Sequence, residues 1–392
     1  MSAGASRRVG RSTGLPAPTA ASPEFVDRLR RRGEPDGFVP FDRFMEVALY
    51  DRDVGYYARQ RSPLGPAGDY YTASRVPIFS RTLASRVTEV REALGSPRPF
   101  YLVDLGSGDG ALAASTVRAL GDRGADLEVV VVDRSASRRV ESFDAIDRAT
   151  REAGGSARSA PSLAELGPVQ GVVVAHELLD ALPVRRFLWS GSGWRELGFR
   201  IEDGRLAPSD RAPAAPPSAT DPPLGADDAG LLVEDCPGAS AVVREVADHL
   251  VNGLLIVVDY GDEERALRLA HPRGTLAAVR AHRPVGSPTE SPGEVDLSAF
   301  VNFTAVRASA AAAGLAEVAY RSQAAALEAW GFSRELERAL RTCSTSEEEV
   351  RLRLAAKTVV FGFESFRVLE LAPPTSVARL RRVSEASRAG PS

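Results

Sequence analysis

The 392-residue chain has only two cysteines and four histidines. Cys236 and Cys343 lie far apart and form no CxxC pair, which argues against a disulfide framework and against a cysteine-based zinc site. His176, His249, His271 and His282 show no HExxH spacing, so no metal site is expected. Lysine is nearly absent: Lys357 is the only one, and arginine supplies the other basic residues. We read that bias as genome base composition, not as function. Long apolar runs are missing too. None approaches the roughly 18 residues of a membrane span, and the N-terminal "MSAGASRRVGRSTGLPAPTAASPEF" has no apolar h-region of a secretory signal. That segment has arginine and serine and no acid before Glu24, a weak likeness to a mitochondrial presequence. Its Pro and Gly content favours a disordered tail over residues 1–23. An excess of positive charge is also lacking. The balance is 49 − 52 = −3, and no basic stripe is interleaved with aromatics, so nucleic acid is not an expected partner.

Apolar residues make up 44% of the chain, enough for a substantial core. Continuous β-branched runs at 100–106, 127–133, 170–177 and 254–261 predict buried parallel strands. Helices are expected at 111–120, from 135 to about 152, and near 239–251. The alternation points to an α/β, doubly wound sheet. "RRFLWSGSGWRELGFRIEDGRL" reads as an antiparallel excursion over 185–207. Residues 208–229 carry six prolines and read as a surface loop. Arg and Glu runs over 334–353 suggest an exposed helix pair. Residues 373–392 read as a second disordered tail.

Two stretches carry chemistry. "VDLGSGDGAL" (103–112) puts Gly106, Gly108 and Gly110 between a strand end and a helix start, where glycine permits close approach of a ligand. Gly106-x-Gly108-x-x-Ala111 also satisfies a dinucleotide fingerprint. Carboxylates at Asp104 and Asp109 would repel a pyrophosphate, however, whereas they suit the sulfonium and ammonium of S-adenosylmethionine. Asp133, closing the next strand, can accept ribose hydroxyls or simply cap a helix. The second stretch is "VVVAHELLDALPVRRF" (172–187). There a buried strand ends in His176 and Glu177, with Asp180 on the same face if a helical turn follows. Two carboxylates could hold a guanidinium bidentately, and His176 or a carboxylate could accept the proton it loses. The alternative is structural: Glu177 caps backbone N–H groups and His176 packs.

The chain resembles the MidA-like methyltransferases, the family of the mitochondrial complex I assembly arginine methyltransferase and its bacterial relatives. The likeness rests on a succession of blocks. They are "FDRFMEVALYDRDVGYYAR" (41–59), "GDYYTAS" (68–74), "LGSGDGAL", "HELLDALPVRRF", "LLIVVDYG", "GTLAAVRAH" (274–282), "PGEVDLSAFVNFTAV" (292–306) and "FESFRVLEL" (363–371). It implies a class I methyltransferase (Rossmann-like) fold with a mixed seven-stranded sheet over 99–372. It further implies an N-terminal helical segment that covers the cofactor over 24–98, and a substrate-side insertion over 281–300. S-adenosyl-L-methionine is the implied donor, with S-adenosyl-L-homocysteine as product. The implied substrate is a protein arginine, with a respiratory-complex subunit as one partner class. Gly68, Asp69, Tyr70 and Thr72 are implied to lie over the cofactor. The implied compartment is bacterial cytoplasm, with the mitochondrial matrix as alternative. This chain differs from the family at Ala73-Ser74-Arg75, where Ser-Pro-Glu is usual, at Phe300, where His is usual, and at Val279, where an aromatic is common.

Overall fold

The computed structural model describes residues 19–59, 76–218, 224–280 and 283–386. Gly68, Asp69, Tyr70 and Thr72, with Ala73, Ser74 and Arg75, lie outside the described residues. The N-terminal segment opens with a helix over Pro23–Arg30, capped by the Ser22 hydroxyl, and continues into α1, Phe41–Tyr50. α2, Pro77–Ala93, follows and packs against the central sheet, so the main domain begins before residue 99.

Seven strands build that sheet: β1 Phe100–Leu105, β2 Leu127–Val132, β3 Ser156–Ala160, β4 Val169–His176, β5 Leu250–Asp262, β6 Ala316–Ser322 and β7 Phe366–Ala372. Their spatial order is β6-β7-β5-β4-β1-β2-β3. The pairs from β3 to β5 are parallel, and β7 is antiparallel to β5 and β6. A two-residue strand, Val301–Asn302, joins the carboxyl end of β5 in parallel. This is the mixed sheet the resemblance implied.

Period-2 alternation assigns each face its own core. Phe100 and Leu102 of β1, with Leu254, Ile256 and Val258 of β5, face one side. There they meet α2, α3 (Ala111–Leu120) and α4 (Ala136–Glu152). Tyr101, Val103 and Leu105, with Leu255 and Val257, face the other side. There they meet α5 (Pro237–His249) and α6 (Phe303–Ala312). Helices on both faces explain why the central strands read as unbroken apolar runs.

The excursion is a separate antiparallel sheet of Arg185–Trp189, Trp194–Glu202 and Arg205–Arg211, extended by Leu232–Asp235. A third core joins it to the N-terminal segment through Phe41, Phe44 and Phe199. The insertion is a small sheet of Ala277–Arg280, Arg283–Pro284 and Asp296–Ser298. The helix pair expected over 334–353 is present as Phe332–Leu340 and α7, Ser346–Phe361.

Both tails need correction. Thr19–Ala20 pairs with Arg205–Leu206, so order begins before residue 23. Residues Pro374–Ala386 form helix α8, whose Leu380 is fully buried in the main core and whose Ser384 hydroxyl bonds the buried Arg86 and Glu370. A single buried stripe and polar anchors at Ser376 and Ser384 dock this segment despite its polar composition. The expected loop over 208–229 is also shorter than predicted: its start is strand to Arg211, and Gly225 accepts a hydrogen bond from the Trp189 indole at 2.8 Å.

Candidate functional site

The carboxyl ends of β1, β2 and β4 lie side by side. Asp104 pairs in register with Val131 on one side and Val174 on the other. Ligands of open α/β sheets bind beyond this edge. A cleft of about 810 Å³ opens there, lined by Gly106, Gly108, Asp133, Arg138, Glu177 and Tyr57 among others. That volume is within the ~300–1,000 Å³ usual for small-molecule pockets.

The glycine turn forms as its spacing demands. Gly106, Gly108 and Gly110 all have positive φ, at 69°, 58° and 77°. A Cβ on Gly106 would meet Leu178 Cδ1 at 2.6 Å, so the post-strand loop packs closely over the turn, and the φ of 69° is what favours glycine there. Gly110 serves another contact. A Cβ there would lie 2.8 Å from the Ser142 carbonyl oxygen, so this glycine lets α3 approach α4. Asp109 accepts the Ala111 N–H at 3.1 Å and caps the start of α3. Gly106 and Gly108 line the cleft; Gly110 and Asp109 shape it from behind.

Asp104 is buried, and its Oδ2 has no hydrogen-bond partner. Burial first, then the nearby charges of Asp109 and Asp133, push its carboxyl up to about 7. A buried acceptor with no donor is costly, and a cationic ligand group would relieve that cost. Asp133 lines the cleft while its Oδ1 accepts the Ser135 N–H at 2.7 Å. Burial raises its carboxyl as well. Ser135 is the N-cap of α4, so Asp133 braces the cap and faces the cleft together. The residues present therefore fit S-adenosylmethionine: Gly106 and Gly108 leave room for it, Asp104 would take its ammonium, and Asp133 would take ribose hydroxyls.

The post-strand segment departs from expectation. No helical turn follows β4, so Glu177 and Asp180 do not share a helix face. Glu177 instead adopts φ 50°, in the left-handed region that costs a non-glycine residue about 1–3 kcal/mol and clusters at functional sites. Its N–H donates to the Val258 carbonyl at 2.9 Å, and the residue lines the cleft. Asp180 sits behind it, buried, with Oδ1 unpartnered. Burial pushes the Asp180 carboxyl up to about 7. His176 is also buried and packs edge-on against Phe79, with ring centroids 5.2 Å apart. Burial lowers its pKa to about 4, so the 3.6 Å approach to Glu177 is no ion pair at neutral pH. Its contacts, the Phe79 ring and the approach to Glu177, are those that the structural alternative expects.

Three residues beyond those singled out from sequence complete the site. Asp259, on β5, is wholly buried and accepts the N–H groups of Leu179 and Asp180 at 2.8 and 3.3 Å. Tyr50 of α1 donates to the Ala181 carbonyl at 2.8 Å, and Tyr57 donates to Asp296 of the insertion at 3.0 Å. "VVDYG" was a usable signal for Asp259, being an acid ending a buried strand as Asp104 and Asp133 do. The tyrosines carried no such local mark. Phe300 stacks against Tyr260 and meets His271 edge-on, and Val279 pairs with Asp296 in the insertion sheet. Among the described residues, no cluster of His, Cys, Asp and Glu could hold a metal ion.

Comparison with known proteins gives the family. Residues 82–320 match the model of a family described as S-adenosyl-L-methionine-dependent methyltransferases. The mitochondrial protein arginine methyltransferase NDUFAF7 of Danio rerio is 25% identical over 69% of this chain and 68% of its own length. The Mus musculus protein is 27% identical over 69% and 66%. The chain thus spans about two thirds of the length of these relatives. A Burkholderia thailandensis protein crystallised with S-adenosyl-homocysteine is 28% identical, with a TM-score of 0.76, over 92% of this chain and 95% of that one. With more than half of its length matched by the family model, the chain belongs to the S-adenosyl-L-methionine-dependent methyltransferases.

Proposed function

We propose that this methyltransferase acts on the guanidinium of an arginine in a protein substrate. The observation that carries this reading is Glu177, a carboxylate in left-handed backbone at a strand end, lining the cleft beside Gly106. The names of the curated relatives point to the same acceptor.

When bound, the donor supplies a methyl group on a sulfonium, whose transfer leaves a neutral thioether. Asp104 and Asp133 hold that donor from the strand ends. Glu177 accepts hydrogen bonds from the guanidinium and orients one nitrogen toward the methyl group, since alignment supplies much of the rate in an in-line displacement. Arginine enters protonated, with a free pKa above about 12. One N–H proton must leave as the N–C bond forms, and Glu177 takes it. The Asp180–Asp259 pair behind the loop carries at most one negative charge, which favours a cationic acceptor over a neutral one.

A respiratory-complex subunit is the proposed partner class and rests on the family resemblance. No helix of the described residues is long and apolar enough to cross a membrane. The curated relatives are mitochondrial by name, which supports the matrix as an alternative to the bacterial cytoplasm. The test of the acceptor uses S-adenosylmethionine labelled on the methyl group and a protein lysate. After acid hydrolysis, label in methylated arginine is the expected result. Label confined to another side chain, a small molecule or RNA would overturn the arginine reading.

A further inference from the structure

We propose that Asp259 is the positioning residue of the transfer site, its carboxyl gripping the loop that carries Glu177 into the cleft. The inference rests on the reading of Glu177 as the acceptor-facing group. Five consecutive residues of that loop are each held at one point. Glu177 donates its N–H to Val258, and Leu178 lies against Gly106. Leu179 is buried in the core under β4 and β5. The Asp180 carbonyl accepts the Ala299 N–H at 2.9 Å, and the Ala181 carbonyl accepts the Tyr50 hydroxyl at 2.8 Å. Between these fixed points the N–H groups of Leu179 and Asp180 both turn to one acceptor, Asp259 Oδ2. Asp259 Oδ1 accepts its neighbour's N–H, from Tyr260, at 3.0 Å, which fixes the carboxyl in its own strand. A left-handed Glu177 persists only where its surroundings over-determine it, and Asp259 supplies that constraint from the neighbouring strand.

The carboxyl does this work beside a second buried acid. It is wholly buried, and Asp180 lies beside it. Two adjacent buried carboxyls cannot both ionise, so burial and mutual repulsion push both upward and the pair keeps at least one proton at neutral pH. Other titratable groups face the pair: Glu177 on the loop, Tyr50 and Tyr57 from the N-terminal segment, and Cys236 ahead of α5. None is a cation that would draw the proton off. Asparagine keeps a carbonyl for the two loop N–H groups but sets its amide NH2 against the Tyr260 N–H, so it restores the grip only in part.

The experiment compares Asp259→Ala and Asp259→Asn in the full chain. Amide hydrogen exchange is read at Leu179 and Asp180, S-adenosylhomocysteine affinity by calorimetry, and labelled methyl transfer to lysate proteins. Alanine is expected to raise exchange at both amides at least tenfold and to lower transfer about 100-fold, the order set by an ångström of misplacement. Product affinity should hold within about threefold, which shows the variant folded. Asparagine is expected to restore protection and transfer in part, above the alanine variant and below the wild type. Unchanged exchange in the alanine variant, or an asparagine variant as impaired as alanine, would overturn the proposal. Glu177→Gln is run alongside: full turnover there would overturn the acceptor role of Glu177 and leave the exchange result to decide Asp259's grip.

Discussion

Asp133 lines the cleft and Asp104 is buried at the neighbouring strand end, and they predict different experiments. Burial and its acidic neighbours hold the Asp104 carboxyl at about 7, above the unfolded value near 3.9. The folded chain therefore binds the extra proton between about pH 4 and pH 7, so this residue makes stability fall as pH rises through that window. A bound ammonium reverses the preference and favours the ionised form. S-adenosylhomocysteine binding at about pH 6.5 should thus release a proton. Calorimetry in two buffers of different ionisation enthalpy reads that release, and Asp104→Asn should abolish it. Equal apparent enthalpies in both buffers for the wild type would contradict the assignment. Asp133→Ala should weaken the same ligand by about 1–3 kcal/mol, the order of a lost charged hydrogen bond; an unchanged Kd would remove Asp133 from the site. These acids were legible because a carboxylate ending a buried apolar run has no packing reason to be there. His176 shows the limit of that logic. Sequence gives its position at the strand end, and only the Phe79 contact shows that the ring turns inward.

At the scale of elements, legibility followed burial. β1, β2, β4 and the centre of β5 are covered on both faces and read as apolar runs. β3, "SARSA", and β6, "AEVAYRS", are the sheet's two edges, half-exposed and polar, and no run marked them. α8 escaped for a related reason. Its apolar residues Val377, Leu380 and Val383 recur every three residues among arginines and serines, and only Leu380 is fully buried. Its docking depends on contacts distant in sequence, Ser384 with Glu370 and Arg86 and Ser376 with the Gly253 N–H. Leu380→Ala should then cost about 2–5 kcal/mol, as other buried Leu→Ala changes do. Thermal or denaturant unfolding measures it. A disordered tail would show no change.

Across the whole molecule, segments distant in sequence meet over one edge of the sheet. The N-terminal tyrosines reach the post-strand loop and the insertion, and β5 holds the loop from below. Local pattern reading supplies the members of such an assembly but not their contacts, because each hydrogen bond spans 80 residues or more. The family resemblance supplied the assembly where periodicity could not. The assembly places one carboxylate, Glu177, in the cleft that Gly106, Gly108 and Asp133 line, and the proposed function gives it the acceptor and not the donor. Glu177→Gln should therefore separate binding from transfer. The decisive measurement titrates this variant with S-adenosylhomocysteine and assays labelled methyl transfer beside the wild type. The account predicts an unchanged Kd with transfer lost; a variant that transfers methyl groups at the wild-type rate would contradict it.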